Sequence, residues 1–121
     1  PEVEIVATEP EGAALLSGKA FAPHKIQGWT PDFVPKVLDP KVVDRIVTVA
    51  DDEALDTARA LAKQEGIFCG ISCGGTFAAA LKVADQADEG AVILAVLPDT
   101  GERYLSTALF ADLPEGSDPE P

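Results

Sequence analysis

Hydrophobic residues in this chain come in short packets separated by proline and glycine, and the period inside the packets changes along its length. Residues 3–9 (VEIVATE) alternate and are rich in β-branched side chains, which predicts a strand. Periodicity is then lost over residues 10–43, where Pro23, Pro31, Pro35 and Pro40 break any long element. A connection of that length in a compact domain is either functional or hides short elements, and short helices are predicted around 13–16 and 31–38. Residues 44–50 (DRIVTVA) predict a second strand. Asp51 or Asp52 can cap the helix that follows to about Glu65. Its apolar positions Leu55, Ala58, Leu61 and Ala62 share one face, and Gly66 suits the left-handed residue after its end. A short strand near 67–71 leads into a helix from about Gly74 to Ala87, with Phe77, Leu81 and Ala84 as its buried stripe. Residues 91–97 (AVILAVL) are apolar on both faces, the pattern of a central strand covered by helices on each side.

Strand, helix, strand, helix, strand is the order of an α/β domain with largely parallel pairing. The fold predicted is a three-layer αβα arrangement over residues 1–113. From Pro114 the chain turns to proline and acidic residues, and residues 114–121 are expected to form a disordered tail. No internal repeat is visible.

Charge narrows the partners. Nine basic residues against 21 acidic ones give a net charge of −12, which repels nucleic acid and anionic membrane surfaces. No apolar run is long enough to span a bilayer. Cys69 and Cys73 are expected to be reduced, partly buried thiols in a cytoplasmic protein; two cysteines and one histidine do not make a metal site. The sequence contains no methionine and its first residues already read as the approach to a strand, so the chain is expected to be a piece of a longer protein.

The chemistry concentrates in Gly66 to Gly75, GIFCGISCGG. An apolar run, a hydroxyl and two glycines before a helical run place backbone N–H groups and Ser72 at one point, where a ligand can sit. Gly70-Ile71-Ser72-Cys73-Gly74 also matches the G-x-S-x-G turn of hydrolases, in which the acid and histidine follow the serine. Here His24 precedes it and no base lies downstream, so a nucleophilic Ser72 would be inert. A second strand-to-loop signal, Pro98-Asp99-Thr100-Gly101, follows 91–97 and points to one shared crevice.

HKIQG (24–28), EGIFCGISCGGTFAAALKVA (65–84) and VLPDTGERYLSTALF (96–110) together resemble the C-terminal part of cysteine synthase, O-acetylserine sulfhydrylase, and its relative cystathionine β-synthase. The similarity runs from about Val3 to Leu113. It implies part of the large domain of a fold type II pyridoxal-phosphate enzyme, which forms L-cysteine from O-acetyl-L-serine and sulfide by β-elimination and addition. Ser72 falls on the family serine that hydrogen-bonds the cofactor's pyridine nitrogen. Pro98, Asp99 and Thr100 fall on the loop lining the cofactor ring, and Gln27 and Gly28 on the substrate-side loop. His24 is expected to be a structural hydrogen-bonding residue, Lys25 to be exposed, and Glu102 and Arg103 to fix their loop by ion pairing. Where many relatives carry small residues after Gln27-Gly28, this chain has Trp29-Thr30-Pro31-Asp32, which would narrow the substrate channel. The family's Schiff-base lysine, substrate-carboxylate loop and phosphate cradle are expected upstream of Pro1, so no catalytic residue is assigned within the chain. The resemblance further implies a homodimer that receives the C-terminal tail of serine acetyltransferase. Two alternatives stand beside it: a cystathionine β-synthase-like enzyme using homocysteine, and a non-catalytic, partner-binding module derived from the family.

Overall fold

In the computed structural model, residues 2–112 are described; the expected tail and the boundary at 113 lie outside them. Two strands, β1 (Val6–Pro10) and β2 (Arg45–Val49), pair in parallel with Val6 opposite Arg45 and Pro10 opposite Val49. Two helices follow, α1 (Asp51–Glu65) and α2 (Ile71–Gln86), which pack on each other and on the strands. The pairing starts later than 3–9 predicts because a side chain intervenes: Asp44 Oδ2 accepts from Ile5 N at 2.7 Å, and Ile5 O accepts from Asp44 N and Arg45 N.

Helix α1 follows its sequence pattern. Leu55, Ala58 and Leu61 are buried, and Gly66 closes the helix in the left-handed conformation (φ 69°) with its N–H on Ala62 O and Leu61 O. Its start differs from the expected aspartate cap. Ala50 leaves β2 in an extended conformation and takes the cap position, and its N–H donates to Glu53 Oε2 at 3.3 Å. Asp51 and Asp52 fall in the first turn instead, where their charge complements the helix dipole. Lys82 of α2 donates to the same Glu53 oxygen (2.9 Å) and to Thr48 O (3.0 Å), tying both helices to the end of β2.

No strand forms over 67–71. Cys69 makes a single antiparallel bridge to Thr100, and the chain enters α2 already at Ile71. The reason is packing. A Cβ on Gly74 would collide with Ala54 O and lie 2.6 Å from Ala58 N, so the glycine-containing start of α2 lies directly on the backbone of α1. The buried face of α2 is accordingly its small-residue face, Gly74, Gly75, Ala78 and Ala79. Leu81 and Ala84 are exposed, and of the expected apolar stripe only half-buried Phe77 meets the core, against Leu61, Cys69 and Cys73.

The connection 10–43 is ordered by short turns. Glu9, wholly buried, accepts from Leu16 N (2.8 Å), Ser17 N (3.0 Å) and Ser17 Oγ (2.6 Å). Those bonds satisfy its charge and convert the helix expected at 13–16 into two 3-10 turns, Glu11–Ala13 and Leu15–Ser17. Residues 31–38 form no helix: Pro35 starts a turn closed by Leu38 N, and the 3-10 turn comes later, at Pro40–Val42, capped by Asp39. Residues 91–97 pair with no strand among the described residues. Val92 and Leu94 are 97 % and 90 % exposed, and an apolar groove of about 840 Å³ runs between this segment and residues 2–8 over Ala79, Ala80 and Val83. The both-faces-apolar pattern thus meets no partner strand within residues 2–112. No helix among the described residues is long and apolar enough to cross a membrane.

The contact at Gly74 sets a test. An alanine there adds helix propensity but meets a backbone carbonyl that cannot rotate away, so Gly74→Ala is expected to destabilise the full-length protein by about 2 kcal/mol. Denaturant unfolding measures it; unchanged or raised stability would mean that α1 and α2 do not meet at this residue.

Candidate active site

Three segments converge on the first turns of α2. From one side comes the turn 98–101. Gly101 N donates to Phe68 O at 3.2 Å, and Cys69 bridges Thr100, so the turn lies along residues 68–70. Asp99 closes over Gly70 so tightly that a Cβ on Gly70 would collide with Asp99 Oδ1 and sit 2.5 Å from the Tyr104 ring. The Asp99 carboxylate accepts from Cys73 Sγ at 3.1 Å on one oxygen and from the Tyr104 hydroxyl on the other. Glu102 and Arg103, expected to anchor this turn, are exposed and make no ion pair among the described residues; the anchor is Tyr104, buried two positions from Glu102.

From the other side comes the loop 24–30. Wholly buried Ile26 roots it, Trp29 N donates to Ile26 O at 3.1 Å, and Gly28 provides the left-handed residue (φ 89°) that the reversal needs. His24 staples the loop: its Nδ1 accepts from Ile26 N at 3.2 Å and its Nε2 reaches Thr30 O at 3.1 Å. A carbonyl only accepts, so these two bonds fit a neutral ring protonated on Nε2. Lys25, Gln27 and Gly28 are exposed on the loop. The Trp29 indole lies over α2, its Cη2 2.7 Å from where a Gly75 Cβ would stand.

Ser72 sits between these walls, in the first turn of α2, 6 % exposed. This helix start is unlike that of α1. Gly70 caps it without a side-chain hydrogen bond, and its first turn carries no acid, whereas α1 begins with Asp51, Asp52 and Glu53. The orphan N–H groups and the positive end of the dipole are therefore left unneutralised beside an uncharged hydroxyl. Such a start suits an electron-rich, uncharged acceptor such as a pyridine nitrogen, and disfavours a proton added to it.

The two thiols and the phenol nearby are held in their neutral forms. The hydrogen bond to Asp99, then burial, push the Tyr104 phenol up to about 12. Burial, then the neighbouring Cys73, push the Cys69 thiol up to about 11, and burial likewise raises Cys73. Both cysteines are free and buried. They are inert thiols rather than nucleophiles. The large apolar groove described above meets this region only at Thr76 and Pro98 and contains none of Ser72, Asp99 and Gln27.

The family described as pyridoxal-phosphate dependent enzyme matches residues 1–99. O-ureido-L-serine synthase of Streptomyces lavendulae is 58 % identical over 118 residues, 98 % of this chain and 36 % of that protein. Cysteine synthase of Staphylococcus aureus (strain Mu50 / ATCC 700699) is 44 % identical over 111 residues, 92 % of this chain and 36 % of that protein. The crystal structure of O-ureido-L-serine synthase superimposes with a TM-score of 0.91 over 98 % of this chain and 37 % of its own length, at 58 % identity. The chain belongs to the pyridoxal-phosphate dependent enzymes of fold type II, in the cysteine synthase family. It spans about a third of the length of the relatives it matches (36 %). Their cofactor is pyridoxal 5'-phosphate, and the uncharged, acid-free start of α2 fits its pyridine end.

Sequence reasoning singles out Ser72, Pro98, Asp99, Gln27 and Gly28, and the fold brings their segments to one helix start. It passes over Tyr104, which lies inside the quoted GERYLST run but reads there as one more loop residue. Tyr104 offers a pH test. Its folded pKa lies above the unfolded value, so its contribution is complete below about pH 10 and is lost as pH rises through about 12. Tyrosine labelled at Cζ in the full-length protein, with the signal assigned by Tyr104→Phe, is expected to titrate near 12; titration near 10 would show that the Asp99 bond does not form.

Proposed function

We propose that the protein to which this chain belongs is a pyridoxal-phosphate dependent β-replacement enzyme that forms L-cysteine from O-acetyl-L-serine and sulfide. The observation that carries the reading is Ser72, an uncharged hydroxyl at a helix start with no acid in its first turn. Pyridoxal phosphate, when bound, supplies the electron sink for removing the Cα proton and expelling the β-leaving group. Ser72 would hold the ring nitrogen without giving it a proton, and the helix dipole supports the same state. A carboxylate at this place would stabilise a ring cation and a longer-lived carbanion, which favours transamination over elimination. Pro98 and Asp99 would wall the ring, and Gln27 and Gly28 would face the substrate. Homodimer formation, docking of a serine acetyltransferase tail and a cytoplasmic location belong to the same proposal.

A second reading rests on the 58 % identity to O-ureido-L-serine synthase. Its product carries a ureido group on the serine oxygen, which a hydroxyurea oxygen would deliver in place of sulfide. Both readings share the elimination half and differ in the nucleophile. Trp29, lying on Gly75 beside the Ser72 turn, favours small nucleophiles and disfavours homocysteine.

Full-length enzyme given O-acetyl-L-serine with sulfide, hydroxyurea or homocysteine separates the readings by product. We expect kcat/KM with sulfide to exceed that with homocysteine at least about tenfold; higher kcat/KM with hydroxyurea than with sulfide establishes the second reading, and no product with any of them ends both. In the same enzyme Ser72→Asp is expected to slow elimination about tenfold and to add transamination product. Unchanged elimination without transamination would remove the assigned role of Ser72.

A further inference from the structure

We infer that Asp99 is a positioning residue held in a clasp, with Cys73 on one carboxylate oxygen and Tyr104 on the other, and that this clasp sets the 98–101 turn against the start of α2. The inference rests on the proposed cofactor role of Ser72 and adds residues to it. A free aspartate in an Asp-Thr-Gly turn would bond to its own backbone N–H groups and point to solvent. Here both oxygens turn inward. Oδ1 takes the Cys73 thiol at 3.1 Å, and Oδ2 takes the Tyr104 hydroxyl. Cys73 Sγ also reaches the Asp99 carbonyl at 3.5 Å, so one thiol grips both the side chain and the backbone of the same residue.

The parts of the clasp come from three places that meet only in the fold. Cys73 is in α2, one residue beyond Ser72 and wholly buried; Asp99 is in the turn; Tyr104 ends the 3-10 turn Gly101–Tyr104 and is 7 % exposed. Gly70 leaves the space the carboxylate needs, since any Cβ there would collide with Asp99 Oδ1. The raised Tyr104 phenol follows first from its bond to the Asp99 carboxylate, whereas the Cys73 thiol is raised chiefly by its burial in the same arrangement. The clasp has a chemical consequence. With both oxygens engaged by donors, the acid that closes over Gly70 is kept from offering itself to the ring nitrogen as a proton-holding partner. Ser72 then remains the polar group that meets the ring.

The test uses the full-length protein with cofactor and has a readout that does not need it. Alkylation of Cys73 by iodoacetamide, followed by peptide mass spectrometry, is expected to run about tenfold faster in Asp99→Asn, the factor one charge-assisted hydrogen bond is worth, and to change less in Tyr104→Phe, which removes only the second donor to the carboxylate. In the same variants the absorbance and emission of bound pyridoxal phosphate are expected to shift. Cys73→Ser, which keeps a donor, is expected to retain the wild-type cofactor spectrum, and Cys73→Ala is expected to lose it. Alkylation within about twofold of wild type in Asp99→Asn overturns the clasp. Faster alkylation with an unshifted cofactor spectrum, or identical spectra for Cys73→Ser and Cys73→Ala, overturns its positioning role. Absence of cofactor absorbance from the wild-type protein defeats the functional reading itself and the positioning role with it, while the alkylation rates still report whether the clasp forms.

Discussion

Three missing side chains hold this structure together. Without a Cβ, Gly70 admits the Asp99 carboxylate, Gly74 admits the backbone of α1, and Gly75 admits the Trp29 indole. Each contact is closer than any larger residue permits, and all three fall within the first turns of one helix. Gly74 and Gly75 cost helix stability, roughly 1 kcal/mol each relative to alanine, while Gly70 stands at the cap position, where glycine is favoured. What offsets that cost is close packing of three segments that the chain separates widely, at 24–30, 51–65 and 98–101. The start of α2 is therefore less a helix in its own right than a surface on which the others register.

That surface has an unusual electrostatic character for a chain of net charge −12. Acids line the first turn of α1, but the start of α2 has none in its first turn. The one acid that approaches, Asp99, meets two donors and is drawn to the inside. Burial keeps the neighbouring thiols neutral, and the bond to Asp99 does the same for the phenol. What is left at the helix start is a hydroxyl, unpaired N–H groups and a dipole, in a protein whose surface is otherwise strongly negative.

Much of this was legible because periodicity reports burial. The pattern 44–50 became β2, the spaced apolar residues of 51–65 became the buried face of α1, and Gly66 became its left-handed end. The errors share a cause: each arose where shape rather than hydrophobicity decides. Leu81 reads as core and is exposed, while Gly74 and Gly75, which no hydrophobic scale favours, form the contact face of α2. Glu9, the acid at the end of the predicted strand 3–9, is wholly buried, and its donors sit in a turn that its own sequence neighbourhood does not announce. Residues 91–97 carry the composition of a central strand, and that composition describes a burial which residues 2–112 do not supply. The candidate site was read from its motifs, HKIQG, GIFCGISCGG and PDTGERYLST, ordered along the chain, and the fold brings these segments together at the start of α2. Its anchoring through Tyr104 and Cys73 was not legible, since a phenol, a thiol and a carboxylate in separate segments reveal a partnership only once folded.

The account turns on whether the ring nitrogen stays uncharged against Ser72. Nitrogen NMR of the full-length protein, loaded with pyridoxal phosphate labelled at the ring nitrogen, reads that state directly. The signal is predicted at an unprotonated, hydrogen-bonded position, and is predicted to move when Ser72 is replaced by alanine. A protonated nitrogen in the wild type, or a signal indifferent to Ser72→Ala, would contradict it.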